Sequence, residues 1–214
     1  MTAGFFLSLR RAAQTEGGKK MLLLCCRLAY DGALLRRAEA VSLPARREKA
    51  AHLASPERRA ASLAAGLLLR RGLRLCGLSE EGLRTDPDGR PWLEGNPAFV
   101  SLSHSGDYAA CVIAKRPVGV DIQRIVPIRE RTVRRFCTGE EWDSMAGRPD
   151  FMRRSVAHWT LKESYLKASG VSTAGAFAAG FQLDPDGSVQ GPDGWEFALC
   201  DQVEGYLLAV CRRA

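Results

Sequence analysis

Apolar positions recur along the chain with two different periods, which together predict both strands and helices. The apolar run at 22–26 has the length of a buried strand. Two further strands are predicted over 99–104 and 109–114, because the residues between them (Ser105-Gly106-Asp107) form a tight-turn sequence. Another strand is predicted over 118–122. Consecutive strands joined by tight turns pair antiparallel, so the pattern favours an α+β fold over a parallel βαβ fold.

Start and stop signals predict the helices. Ser42 and Pro44 open one helix, and Ser55 and Pro56 open a second that is expected to stop at Gly72. The remaining predictions are a turn at 86–91, helices around 129–136, from 140 and over 151–169 (stopping at Gly170), and strands near 180–183, over 195–200 and over 206–210. The second half thus repeats the outline of the first, although we identify no direct sequence repeat.

Composition limits the classes of partner. The 31 Lys and Arg residues exceed the 24 Asp and Glu residues and give a net charge of +7, which attracts polyanions such as nucleic acid, a phosphorylated small molecule or an acidic protein. The seven cysteines include no C-x-x-C pair, which indicates reduced thiols in a cytoplasmic protein and no structural zinc. No apolar run approaches the roughly 20 residues needed to cross a bilayer, so no membrane partner is expected.

The predicted helix over 151–169 and the strand over 118–122 carry the candidate chemistry. Glu163 and Lys167 are four residues apart and share one helix face, an arrangement that in isolation is a surface ion pair. Alternation places Asp121 and Gln123 on one face of the strand. Two carboxylates and an amide oxygen are hard ligands suited to Mg²⁺. The other residues that could bind phosphate are Arg46, Lys49, Arg90 and His104, together with Lys167.

Five short motifs, in order along the chain, resemble those of the 4'-phosphopantetheinyl transferases, and most closely the longer type that activates surfactin synthetase. They are the basic helix at 44–49, the Gly-Arg-Pro turn at 89–91, the serine-histidine-serine stretch at 102–105, Gly119-Val120-Asp121, and residues 159–167. Each motif alone is weak, whereas five in the right order form a specific pattern. The resemblance runs from about Met21 to the end of the chain.

The resemblance implies a fold of two similar α+β halves related by a pseudo-twofold, with residues 21–115 and 116–214 as the halves and the metal site in the second. Residues 1–20 are expected to be a poorly ordered N-terminal extension. By position, the catalytic residues are Glu163, Lys167 and Asp121. The implied Mg²⁺ ligands are Asp121, Gln123 and Glu163, and the implied coenzyme A contacts are Arg46, Lys49, Ser62, Arg90, Pro91, Ser103, His104 and Lys167. Gln123 departs from the family pattern, because many members carry a third acidic ligand there.

The implied function is Mg²⁺-dependent transfer of 4'-phosphopantetheine from coenzyme A to a serine of an acyl or peptidyl carrier protein, by a monomer. Adenosine 3',5'-bisphosphate is the other product, and Glu163 or a metal-bound water beside it is the base. One alternative is a coenzyme-A-binding member that is catalytically impaired by Gln123. Another is a basic nucleic-acid-binding protein, although the chain lacks a recognised nucleic-acid motif. The apolar stretch at 170–181 is either a flexible connector or a mobile lip that packs against the carrier protein.

Overall fold

The computed structural model describes residues 10–12, 21–28, 32–42, 44–86 and 89–214. The chain divides into two compact units, Met1–Lys115 and Arg116–Ala214. Each unit contains an antiparallel sheet and one long helix that packs on it. The prediction of an α+β fold with two similar halves is confirmed. The pseudo-twofold between the halves stays a prediction.

The first unit is built on a four-stranded sheet in the order β1-β2-β6-β5. Its longest helix, α3, begins at a Ser55 cap that accepts a hydrogen bond from the backbone N–H of Arg58, and it packs on the sheet through buried leucines. Its elements are β1 (Arg10–Ala12), β2 (Met21–Arg27), α1 (Gly32–Val41), α2 (Pro44–Ala51), α3 (Pro56–Leu75), β3 (Leu83–Thr85), β4 (Pro91–Leu93), β5 (Phe99–Ser105) and β6 (Tyr108–Ala114).

The second unit is built on a three-stranded sheet in the order β10-β11-β7. Its long helix α6 lies across β7 and β11 and ends at Gly170, whose φ of 72° is the left-handed conformation expected of a C-terminal glycine. Its elements are β7 (Val118–Arg124), α4 (Glu130–Val133), α5 (Gly139–Met145), α6 (Phe151–Ser169), α7 (Thr173–Ala178), β8 (Gln182–Leu183), β9 (Val189–Gln190), β10 (Trp195–Cys200) and β11 (Tyr206–Arg213).

The two units share one order of elements. Apart from β1 in the first unit and α7 in the second, each has a strand, two short helices, a long helix, a small hairpin and two final strands. In each sheet the last strand (β6 or β11) lies between the strand that precedes the helices (β2 or β7) and the penultimate strand (β5 or β10). The small hairpins also share the sequence Asp-Pro-Asp-Gly, at 86–89 and 184–187. In both, the glycine N–H donates to the carbonyl of the first aspartate, and the glycine has a positive φ. The halves thus share a turn sequence at equivalent places, without a longer direct repeat in the sequence.

Three features differ from the sequence-based expectations. Helix α3 continues past Gly72 to Leu75. A Cβ at Gly72 would lie only 2.7 Å from Ile113 Cδ1, so this glycine allows close packing on the sheet and does not end the helix. Helix α1 was not predicted. Strand β1 lies within the predicted extension and pairs with β2, while the rest of residues 1–20 falls outside the described residues. Among the described residues, no helix is long and apolar enough to cross a membrane.

Candidate active site

Helix α6 lies unusually close to strand β7 at Gly119. A Cβ at this position would be 2.0 Å from the carbonyl oxygen of Ser164 and 2.7 Å from the backbone nitrogen of Ala168, so only glycine allows this approach. Because strand side chains alternate, Asp121 and Gln123 lie on the same face as Gly119, the face that α6 covers. The absence of one side chain therefore brings the helix over the two candidate ligands.

Asp121 is buried, with 2% of its surface exposed, and both its carboxylate oxygens have partners. Lys167 Nζ on α6 lies 2.7 Å from Asp121 Oδ1 and also donates to the carbonyl of Val120. Gln123 Nε2 donates to Asp121 Oδ2 over 3.1 Å. Such charge-assisted hydrogen bonds offset the cost of burying a carboxylate. The pocket around Asp121 therefore already holds one positive charge, supplied by Lys167.

Glu163 lies one residue before Ser164 on α6 and is partly buried. The structure thus brings both Gln123 and Lys167 into contact with Asp121 and carries Glu163 on the same helix as Lys167. Oxygen donors of this kind suit Mg²⁺, which keeps the rest of its coordination shell for water and substrate phosphate. Within the described residues, no group of three or more His, Cys, Asp and Glu side chains could hold a metal. The candidate Mg²⁺ site therefore has few protein ligands, namely the carboxylates of Asp121 and Glu163 and the amide of Gln123.

The candidate phosphate ligands of the first unit include Arg46 on α2 and Ser62 on α3. The stem of Arg46 lies against Gly66, where an added Cβ would be 3.0 Å from Arg46 Cγ, and burial lowers the pKa of its guanidinium. Ser62 is one helical turn before Gly66 and is buried. The side chain of Lys49 lies outside the described part of the structure. Arg46 is therefore a partly buried cation rather than a solvated one.

The remaining first-unit candidates lie at the β3–β4 turn and on β5. The backbone N–H of Arg90 donates to Asp86 Oδ1 over 2.7 Å, which shapes the turn that precedes Pro91. On the edge strand β5, Ser103 is buried and pairs with Ala110, whereas the neighbouring His104 is exposed. The turn prediction at 86–91 is consistent with these contacts, although residues 87 and 88 fall outside the described structure.

Sequence reasoning missed a buried charged group in the second unit. Glu141 on α5 and Lys162 on α6 pair over 3.0 Å (Nζ to Oε2), and His158 Nδ1 lies 3.4 Å from Glu141 Oε1. Burial lowers the pKa of Lys162, against the effect of Glu141. For Glu141, burial raises the pKa, but His158 and Lys162 outweigh this and the pKa lies below its usual value. The sequence does contain one indication of the role of Glu141, because Thr-Gly-Glu-Glu at 138–141 is a capping-box sequence.

The stretch at 170–181 contains helix α7, capped by the Ser172 side chain. Ala176 is buried, and Phe177 packs against Trp159, with ring centroids 5.9 Å apart. Part of this stretch is therefore a packed helix, while the flexible-connector alternative is not tested by these contacts. The carrier-binding alternative stays a prediction.

The chain is similar to known proteins along most of its length. Residues 117–211 match the family model described as the 4'-phosphopantetheinyl transferase superfamily, and residues 46–114 match the 4'-phosphopantetheinyl transferase N-terminal domain. A 4'-phosphopantetheinyl transferase of Bacillus subtilis is 31% identical over 132 residues, which cover 58% of this chain and 59% of that protein. The 4'-phosphopantetheinyl transferase Sfp of Bacillus subtilis (strain 168) is 29% identical over 136 residues, covering 59% of this chain and 61% of Sfp.

Another relative covers less of the chain but is more identical over the matched residues. The L-aminoadipate-semialdehyde dehydrogenase-phosphopantetheinyl transferase of Xenopus laevis is 40% identical over 102 residues, which cover 39% of this chain and 33% of that protein. The chain spans less than two thirds of the length of each of these three relatives.

Proposed function

The chain belongs to the 4'-phosphopantetheinyl transferase superfamily, and from this premise we propose that it transfers 4'-phosphopantetheine from coenzyme A to a serine of an acyl or peptidyl carrier protein. The observation that carries the proposal is the buried Asp121 beneath α6, with Lys167 bonded to it and Glu163 one turn earlier on the same helix. Phosphoryl transfer requires mainly positioning and charge neutralisation, and this group of residues is suited to both.

Asp121 and Glu163 are the proposed metal ligands, with the amide oxygen of Gln123 as a third, weaker donor. The donor set fits Mg²⁺, because all three atoms are hard oxygens and Asp121 already binds a cationic group. When bound, Mg²⁺ would neutralise negative charge on the pyrophosphate of coenzyme A. Since Lys167 occupies Asp121 Oδ1, we propose that its ammonium turns from the carboxylate to a phosphate oxygen when substrate binds.

We propose that Glu163 accepts the proton of the carrier serine hydroxyl as its oxygen attacks the phosphorus next to the pantetheine. The bond between that phosphorus and the bridging oxygen then breaks, and adenosine 3',5'-bisphosphate leaves. Lys167, Ser103 and His104 are assigned to phosphate oxygens, Arg46, Lys49 and Ser62 to the 3'-phosphate, and Arg90 and Pro91 to the adenine. The net charge of +7 favours both coenzyme A and the acidic carriers that the resemblance implies.

We also infer a cytoplasmic monomer. All seven cysteines are free thiols, four of them buried, which is usual for a protein of a reducing compartment. The monomeric state follows from the resemblance alone.

The proposal is tested by mass spectrometry of candidate apo-carrier proteins after incubation with coenzyme A and Mg²⁺. We expect the carrier to gain the mass of phosphopantetheine with the wild type and to remain unmodified with Glu163→Ala, which should fold normally. Coenzyme A binding without any mass gain would instead support the catalytically impaired alternative. Retention on DNA that survives moderate salt, with no coenzyme A binding, would support the nucleic-acid alternative.

A further inference from the structure

A second charged pair is buried in the unit that carries Asp121, and the proposed reaction does not use it. Lys162 and Glu141 are 1% and 2% exposed, and their charged atoms lie 3.0 Å apart. Taking two charges out of water is unfavourable unless their remaining hydrogen-bonding capacity is also satisfied. The other contacts of the two side chains therefore indicate what the pair holds together.

Lys162 Nζ contacts the C-terminal end of α7. It donates to the backbone carbonyls of Phe177, in the last turn of α7, and of Ala179, the residue that follows the helix. Carbonyls at a helix C-terminus have no partner within the helix. A cation at this end also interacts favourably with the helix dipole. With Glu141 as its third partner, the ammonium uses all three of its hydrogens within the protein. None is left to bind a substrate phosphate.

Glu141 binds two backbone N–H groups, one after α7 and one at the start of α5. Its Oε1 accepts the backbone N–H of Phe181 over 2.9 Å, and its Oε2 accepts the backbone N–H of Thr138 over 2.8 Å. The second bond closes the capping box at the start of α5. One carboxylate thus joins the start of α5, a side chain of α6 and the residue that leads into β8.

We propose that Glu141 and Lys162 are positioning residues, whose ion pair holds α7 and the residues up to Phe181 against α6. Lys162 is adjacent to Glu163 in the sequence and precedes Lys167 by five residues on the same helix, yet it acts through the segment after α6 and not as a phosphate ligand. The coenzyme A part of the test rests on the proposed function, whereas the part that concerns α7 does not.

The experiment compares three variants with the wild-type chain. Lys162→Met keeps the length of the side chain but leaves the Glu141 charge buried without its partner. The double variant Glu141→Gln with Lys162→Met removes both charges, but its amide oxygen can accept only one of the Phe181 and Thr138 N–H groups, because these bind different oxygens of Glu141. Lys167→Met is the matched control, because it removes a lysine from the same helix without touching α7. Each protein is examined by thermal unfolding, by hydrogen exchange of the 173–181 segment, and by calorimetric titration with coenzyme A.

We expect Lys162→Met to lower the melting temperature strongly and the double variant to recover part of that loss, because no unpaired charge remains although one backbone N–H loses its acceptor. In the double variant, and in Lys162→Met if it folds, exchange in the 173–181 segment should rise by about tenfold or more, since the α7 carbonyls have lost their donor. Coenzyme A affinity should stay within about twofold of wild type in the double variant but fall by about tenfold in Lys167→Met, whose α7 exchange should not change.

Two results would overturn the proposal. One is wild-type exchange of the 173–181 segment in the double variant. The other is a loss of coenzyme A affinity in the double variant equal to that of Lys167→Met. If the wild-type chain does not bind coenzyme A, the proposed function fails instead, and the exchange measurements still decide the role of the ion pair.

Discussion

Two glycines set the distance between a long helix and its sheet, one in each unit. In the second unit, the glycine belongs to the strand, at Gly119, and α6 presents its backbone to it. In the first unit, it belongs to the helix, at Gly72, and faces the side chains of Ile113 and Leu24. The contact at Gly119 is with backbone atoms, which cannot rotate away, so this position should be the less tolerant of the two.

Gly119→Ala should destabilise the protein by about 2–4 kcal/mol, because α6 must move away from β7 to make room for the methyl group. Displacement of α6 also separates Lys167 from Asp121, so turnover should fall. Urea denaturation measures the first effect. Gly139→Ala is the control, since a Cβ there has no atom within 4 Å and alanine favours the helix. Equal stability of both variants would show that α6 adapts without cost.

Gln123→Glu should lower the Mg²⁺ concentration needed for half-maximal turnover, because it adds a third carboxylate beside Asp121. Without metal, it should destabilise the protein, since a hydrogen bond to Asp121 Oδ2 is replaced by a repulsive contact. The maximal rate need not rise, because tighter ground-state binding does not stabilise the transition state. Mg²⁺ titrations of both proteins at saturating coenzyme A provide the test. An unchanged or higher half-maximal concentration would place Gln123 away from the metal.

Arg46→Ala should weaken the binding of coenzyme A, while the binding of 3'-dephospho-coenzyme A should change little, because the proposed partner of this guanidinium is the 3'-phosphate. We expect a loss of about tenfold for the first ligand. Titration calorimetry with both ligands makes the comparison. Equal losses would refute the 3'-phosphate assignment and attribute the effect to the packing of Arg46 on α3.

At the scale of elements, helices α5, α6 and α7 are joined through the Glu141 carboxylate. Thr138 and Glu141 cap α5, and Lys162 on α6 forms an ion pair with Glu141. The residues after α7 bind both charged groups, because Ala179 accepts from Lys162 and Phe181 donates to Glu141. Aromatic packing reinforces this arrangement, since Trp159 lies against both Phe136 and Phe177. The Glu141–Lys162 ion pair therefore contacts the start of α5 and the end of α7 at once.

The acid stability of the protein should depend on Glu141. Since its pKa is lower in the folded state than its usual value, its ionised form contributes stability above the pKa of the unfolded chain. This contribution should disappear as the pH falls from about 4.5 through the lower folded-state pKa. Urea unfolding at a series of pH values should thus show a steeper acid loss in wild type than in Glu141→Gln. Parallel curves would mean that Glu141 is not ionised in the folded protein.

At the scale of the whole molecule, each unit has its own sheet and long helix, in the same element order. The proposed metal ligands all lie in the second unit, whereas most of the proposed coenzyme A contacts lie in the first. Strand β1 is an addition to the first unit, where it pairs antiparallel with β2 at the edge of the sheet.

Removal of residues 1–20 should leave turnover nearly unchanged, because none of the proposed site residues lies there and the first core-forming strand starts at Met21. The melting temperature should fall by only a few degrees, since three paired residues of an edge strand are lost. Thermal unfolding and the carrier-modification assay measure the two effects. A large drop in melting temperature would show that the extension is part of the folded unit.

The sequence by itself determined the α+β class, the two halves and most element positions, because these depend on local periodicity and end signals. The helix at 151–169 and the strand at 195–200 have the predicted bounds, and Gly170 ends the helix as expected. It also determined the family, since five motifs in order form a specific pattern. The candidate residues Asp121, Gln123 and Lys167 could be proposed together for the same reason, although their contacts could not.

Tertiary structure decided how the charged residues are partnered, because those contacts join positions far apart in the chain. Lys162 and Lys167 are both lysines of one helix, yet one is paired with Glu141 in the interior and the other with Asp121 on the adjacent strand. Gly72 has the sequence signature of a helix stop but lies within α3, since its packing against Ile113 outweighs the local preference. Local sequence specifies which elements form, whereas burial in the fold determines which charges meet and where a helix ends.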